Sequence, residues 1–218
     1  MKHFTLTICA ASLLLFSCNN SGEKTDAATT DTSKTEQPVT KEAAPAAMPD
    51  TATINKAWMA FATPGAMHQW MEKTNGTWEG DVSSWMAPDA PPSTSKAVNV
   101  QSSVLGGRYV TGKFSGSMMG QPFNGMSMMG YDNAKKVFTN TWVDDMGTGI
   151  VHMTGTYNEA TKTLSLKGHQ TDFMTGKNSG IREEMVMIDD NTYKMTMYGD
   201  GFDGKEMKFM EGTFKRKK

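Results

Sequence analysis

From residue 77 onward, apolar and polar side chains alternate in short runs. Turn-forming residues interrupt them about every 10 to 13 positions, the spacing of strands in an all-β domain. Alternation of this kind marks a strand with one buried face. It predicts strands near 77–86, 96–105, 108–119, 122–131, 136–144, 148–157, 162–171, 179–188, 192–199 and 205–216. The breaks are turn chemistry: Gly106-Gly107, Gly120-Gln121-Pro122, Asp132-Asn133, Asp145-Met146-Gly147, Asn158-Glu159, Thr175-Gly176-Lys177, Asp189-Asp190-Asn191 and Asp203-Gly204. Three faces are clear enough to assign inward: Leu164 with Leu166; Val151 with Met153 and Tyr157; Tyr193 with Met195 and Met197. Other strands are half apolar on both faces, and the pattern assigns neither. No helical period separates the strands, so no parallel crossover is available and neighbours must run antiparallel. The expected fold is all-β, an up-and-down barrel of 8–10 strands, because closure removes exposed edges. A two-sheet sandwich is the alternative.

A short helical segment precedes the strands. Ile54, Trp58 and Phe61 fall at helical spacing. Thr63-Pro64 reads as a helix restart, with threonine as N-cap and proline at the first helical position. Met67, Trp70 and Met71 continue one apolar stripe, and Gly76 is placed to end the segment.

The pattern is absent from the first 53 residues, where composition takes over. Asn19–Thr53 is rich in Ala, Thr, Ser, Glu, Lys and Pro, with almost no large apolar residue. Such a segment cannot bury enough surface to offset its ordering entropy and reads as a tether. Before it, Lys2 and the mostly apolar run Phe4–Phe16 have the charge and length of a secretory signal. The run ends in Leu15-Phe16-Ser17-Cys18, which resembles the lipobox of bacterial lipoproteins. That resemblance implies cleavage before Cys18, lipid attachment to its thiol, and a cell-envelope location. The periplasmic face of an outer membrane is the expected site. The division is therefore 1–17 signal peptide, 18–53 lipidated cysteine and tether, and 54–218 folded domain.

Charge and cysteine usage then exclude several function classes. The formal net charge is -1 over 218 residues, which gives no electrostatic reason to expect nucleic acid as a partner. There are two cysteines. Cys9 leaves with the signal and Cys18 carries lipid, so no thiol remains for catalysis, disulfides or zinc. No cofactor is expected.

Candidate chemistry is sparse. Twenty methionines stand out. Thioethers can select Cu(I), but methionine is also a flexible apolar filler, and most here occupy positions where strands need inward groups. Of the histidines in the domain, His152 and His169 are expected outside. His68, in the Thr-Pro-Gly segment, is the best functional candidate and sits where a helix dipole disfavours its charged form. Lysine is used almost everywhere, so Arg108 and Arg182 at strand positions draw notice as forks for a carboxylate, or else as ends of surface ion pairs with Glu183 or Glu184. The acids Asp144, Asp145, Asp200, Asp203 and Glu206 read as turn chemistry. The run from Asp200 to Glu206 lacks the ligand spacing of a calcium loop.

Two resemblances sharpen the fold. Gly76-Thr77-Trp78 at the first strand, with Arg216 at the end of the last, is similar to the structural signature of lipocalin-like barrels. That signature implies a tryptophan closing one end with an arginine packed across it. A longer series is Thr63-Pro64-Gly65-Ala66-Met67-His68, Gly106-Gly107-Arg108-Tyr109, Gly120-Gln121-Pro122-Phe123, Gly130-Tyr131-Asp132-Asn133, Trp142-Val143-Asp144-Asp145 with Gly147-Thr148-Gly149, and Thr175-Gly176-Lys177. It resembles the bacterial family called domain of unknown function 1579. What this implies is a small lipocalin-like β domain, often exported, with no catalytic assignment to carry over.

The leading functional expectation is a binding module for a small apolar or amphipathic ligand. Trp142, Tyr193, Met195 and Met197 would line the site and Arg108 or Arg182 would anchor a polar end. A filled barrel acting through its surface is the second reading. A hydrolase or isomerase around His68 and Asp144 at a barrel mouth is the third.

Overall fold

The computed structural model describes residues 48–218, apart from Met119 and Phe202. The signal and tether expectations, Cys18 included, lie outside the described residues. Two helices lead into ten strands: α1 (Thr51–Ala62), α2 (Ala66–Glu72), β1 (Gly76–Ser84), β2 (Ser93–Val104), β3 (Tyr109–Met118), β4 (Gln121–Asp132), β5 (Val137–Asp144), β6 (Val151–Asn158), β7 (Thr163–Thr171), β8 (Asn178–Asp189), β9 (Thr192–Asp200) and β10 (Glu206–Arg216). Each strand pairs antiparallel with its neighbours in sequence, and β10 returns to pair with β1, so the sheet closes into a barrel. The sandwich alternative is excluded by that closing pair.

Helix α1 begins at Thr51, three residues before the expected domain start, because the Asp50 carboxylate caps it by accepting from the Thr53 N–H at 2.9 Å. The helix restart differs from expectation. Thr63 caps the C-terminus of α1, donating from its hydroxyl to the Met59 carbonyl at 2.7 Å. Helix α2 starts two residues later than Pro64, with Gly65 as its N-cap, and the Gly65 N–H donates to Nδ1 of His68 at 3.1 Å. The imidazole does the capping work that the sequence had suggested for threonine.

Helix α2 closes one end of the barrel. Met71 is fully buried, and Trp70 packs against Tyr157 and Phe138 with ring centroids 4.4 and 5.3 Å away. The turns at this end reach up to α1. Arg108 donates to the Ala62 carbonyl, and Asn133 donates to the carbonyls of Phe61 and Thr63. Among the described residues no helix is long and apolar enough to cross a membrane.

The closing seam carries the signature pair. Trp78 and Arg216 are direct partners across β1 and β10, and the Arg216 guanidinium lies 4.1 Å from the centroid of the buried Trp78 ring. The indole Nε1 donates to the Thr74 carbonyl at 2.8 Å. Gly76 has φ +127, and a Cβ there would sit 2.7 Å from the guanidinium. The glycine of the Gly-x-Trp run is thus required both by backbone conformation and by the space Arg216 occupies. Trp78→Ala is expected to lower unfolding free energy by about 3–5 kcal/mol, the range for truncating a large buried aromatic. Gly76→Ala should cost more than about 1 kcal/mol through strain alone. Urea unfolding followed by tryptophan fluorescence measures both, and wild-type midpoints would refute the role given to the seam.

Candidate ligand cavity

The strand alternation puts one side chain in two inside the barrel, and the inside is not filled. A cavity of about 460 Å³ lies inside the barrel, walled by residues from β2 to β10. Its wall is mostly apolar and includes eight methionines, among them Met153, Met185, Met195 and Met197. The aromatic part comes from Phe114, Phe123 and Trp142, whose rings meet edge-on or tilted at 5.8 to 6.2 Å. Gly125 permits this: a side chain there would overlap the Trp142 ring. Helix α2 blocks one end, and the opposite end is ringed by the β5–β6 and β7–β8 loops. Met146 and Phe173 from those loops line the cavity while remaining exposed to solvent, so the cavity opens there.

A few polar groups break the apolar wall. Asn99 donates from Nδ2 to the Tyr193 hydroxyl at 3.2 Å. Gln101 also stands at that hydroxyl, and burial with the nearby Glu183 charge pushes the Tyr193 pKa up. Asn140 is 8% exposed, and its Oδ1 has no hydrogen-bond partner. Most such buried oxygens are paired, and this one is an exception packed within the wall. Near the mouth, Asp144 is already engaged, accepting from Trp142 Nε1 at 2.8 Å and from the Met146 and Gly147 N–H groups.

Glu183 is the deepest of these groups. It sits midway along β8, facing inward between Ile181 and Met185, with Leu166 and Met197 as its cross-strand partners. What surface it exposes belongs to the cavity wall. Among the described residues no salt bridge reaches it. Burial pushes its carboxyl up to about 7.

The residues singled out from sequence divide sharply. Trp142, Tyr193, Met195 and Met197 all line the cavity. Arg108 and Arg182 do not, which corrects the expectation of an interior arginine anchor. Arg108 falls in the β2–β3 turn, exposed, holding the carbonyls of Leu105 and Ala62. Arg182 has the opposite parity to Glu183 and points outward. It pairs with Glu184 at 2.6 Å and Glu206 at 2.8 Å, over the Tyr198 ring. His68, on α2, is buried edge-on to Tyr131 at the closed end. Its pKa is lowered by burial first and the Arg108 charge second. Asp144 is at the open end, so His68 and Asp144 do not converge on a common site. Among the described residues no group of three or more histidine, cysteine or acidic side chains could hold a metal. Sequence reasoning missed Glu183 as an inward group. The alternation Ile181, Glu183, Met185 was the available signal, masked by three successive charges at Arg182-Glu183-Glu184.

A closed antiparallel barrel with a tryptophan–arginine seam at one end and an open cavity at the other defines a lipocalin-like barrel. The family profile described as protein of unknown function (DUF1579) matches residues 63–216. The chain therefore belongs to that family. No curated protein matches the sequence. Among solved structures, Rv2717c from M. tuberculosis is similar at 12% identity and TM-score 0.57, over 72% of this chain and all (100%) of that one. The S-type phycobiliprotein lyase CPES from Guillardia theta is similar at 11% identity and TM-score 0.50, over 78% of this chain and 99% of its own. At these identities the likeness is one of fold.

The Glu183 carboxyl makes stability depend on pH. The unfolded chain releases this proton near the ordinary glutamate pKa of about 4.3, whereas the folded barrel holds it until about 7. Between those values the native state binds more protons, so stability falls as pH rises and then levels off above about 7. Glu183→Gln removes the effect. Its advantage over wild type in urea unfolding should grow by about 3 kcal/mol between pH 4 and pH 8. An unchanged difference across that range would show that Glu183 is hydrated as in water.

Proposed function

We propose that this protein is a binding module for a small amphipathic ligand, held at the envelope by lipid on Cys18. The observation that carries the first part is the cavity of about 460 Å³, inside the range of small-molecule sites, with an apolar wall and a few polar groups placed to orient a guest. A solid interior would have favoured the filled structural barrel, and the void counts against it. The likeness to an S-type phycobiliprotein lyase adds an analogy at the level of fold. The methionine-lined wall suits a guest of imprecise shape, because methionine repacks at little cost. Supporting the second part is the Leu15-Phe16-Ser17-Cys18 run behind its apolar stretch, with the polar segment after it serving as a tether. The expected location is the periplasmic face of an outer membrane.

A neutral apolar fluorophore such as N-phenyl-1-naphthylamine should bind the full chain saturably and brighten. Val151→Trp, which places a larger ring in the cavity wall, should weaken that binding at least about tenfold, the effect of losing roughly 1.4 kcal/mol. Absence of saturable binding to wild type would remove the binding reading. For the anchor, Cys18→Ser should shift the protein from the membrane fraction to the soluble fraction of a native-host extract. A variant that stays with membranes would remove the anchor reading.

A further inference from the structure

The charge inside the barrel is of one sign, since Glu183 and Asp144 are the charged side chains among the described residues of the cavity wall. Of the residues lining the cavity, none of those described is lysine, arginine or histidine. Among the described residues no cation pairs with Glu183. The cations on its own and neighbouring strands face outward: Arg182 is tied to Glu184 and Glu206, Lys194 to Glu211 at 3.1 Å, and Lys167 is exposed. From within the barrel Glu183 meets Leu166 on β7, Met197 on β9 and its strand neighbours Ile181 and Met185. Tyr193 is the titratable group close enough to feel its charge. The remaining acid in the wall, Asp144, is at the mouth and already accepts from Trp142, Met146 and Gly147.

An acid head group pushed into this cavity would meet the Glu183 carboxyl, with no cation among the described lining residues to receive it. We propose that the ligand carries a protonated amine to Glu183, with its apolar chain running toward the mouth between Trp142 and the methionines. This rests on the binding role above and names the ligand class. The physical advantage lies in preorganisation. Much of the desolvation of the Glu183 carboxylate is already suffered in the empty barrel, so an arriving ammonium gains the pairing without adding that cost again. Charge-assisted hydrogen bonds of this kind are about twice as strong as neutral ones. The pairing also couples to protons. Raised as its carboxyl is, Glu183 is neutral at low pH and must lose its proton to hold an ammonium, so amine affinity should climb with pH up to about 7 and then level.

The test compares three ten-carbon probes that differ at one end, decylamine, decanol and decanoate. They are titrated calorimetrically into the full chain below their micelle concentrations. Decylamine should bind at least about tenfold more tightly than decanol or decanoate at pH 8, as expected for a charge-assisted contact against a neutral or repelled one. That advantage should shrink to less than about threefold at pH 5.5, where Glu183 holds its proton. Glu183→Gln should abolish the preference of decylamine over decanol, and a cooperative unfolding transition confirms that the variant is folded. Decanoate binding as tightly as decylamine at pH 8, or a preference that survives Glu183→Gln, would overturn the amine-ligand inference and leave the binding module standing. Failure of all three probes together with the neutral fluorophore would overturn both.

Discussion

The seam between β1 and β10 is the interaction on which the rest depends. An eleven-residue last strand must find the first strand, and the register is fixed where Trp78 meets Arg216. Arg216 spreads over that contact. It stacks on the indole and donates to the carbonyls of Lys73, Asn75 and Asp190, drawing α2's exit and the β8–β9 turn onto one guanidinium. Lys217 extends the seam with an N–H to the Thr77 carbonyl at 2.7 Å and an ammonium to Glu79 at 2.6 Å. A lysine at position 216 could neither stack so broadly nor fork to several carbonyls, which accounts for one of three arginines in a chain that otherwise uses lysine.

With the seam closed, the two ends of the barrel do different jobs. The end under α2 is packed and its polar groups are spoken for: His68 accepts from Gly65, and Thr74 holds Met71 and receives Trp78. At the far end, apolar side chains remain exposed on the loops, including Phe173, Met174, Met146 and Ile150. Stability is concentrated where nothing enters, and access where packing is loose. A hollow barrel depends on this separation, because a void lined by Met and Phe forfeits dispersion contacts that the sealed end must supply.

Most of the architecture was legible because turn chemistry and alternation speak with one voice. All ten strands fall within a few residues of their predicted bounds, and the positive-φ glycines Gly106, Gly107, Gly120, Gly176 and Gly204 mark turns that composition already indicated. The cap of α2 was not legible, since a histidine side chain reaching back to a glycine N–H has no threonine-like signature. The direction of Arg182 was obscured because charges at three successive positions erase the contrast on which alternation relies. Within the cavity, Trp142, Tyr193, Met195 and Met197 could be named as inward groups. Its volume could not be read, because it depends on how ten strands' side chains fail to meet. Asn140 likewise looks like an ordinary strand asparagine until its buried oxygen is seen to lack a partner.

The closing seam also governs how such a chain reaches its native state. Arg216 and the Asn75 carbonyl it holds are 141 residues apart in sequence. Contacts of that separation give a high contact order and slow folding, since the loop-closure entropy must be met before the contact returns anything. Synthesis runs from β1 to β10, so the first strand has no partner on one side until the last is made. Through that interval β1 presents a free edge, and its partner's absence leaves Trp78 without the arginine that covers it. Closure is therefore the last pairing to become available, and a chain shortened by its final strand would keep eight of its nine strand-to-strand turns and still lack the β1–β10 pair that closes the barrel.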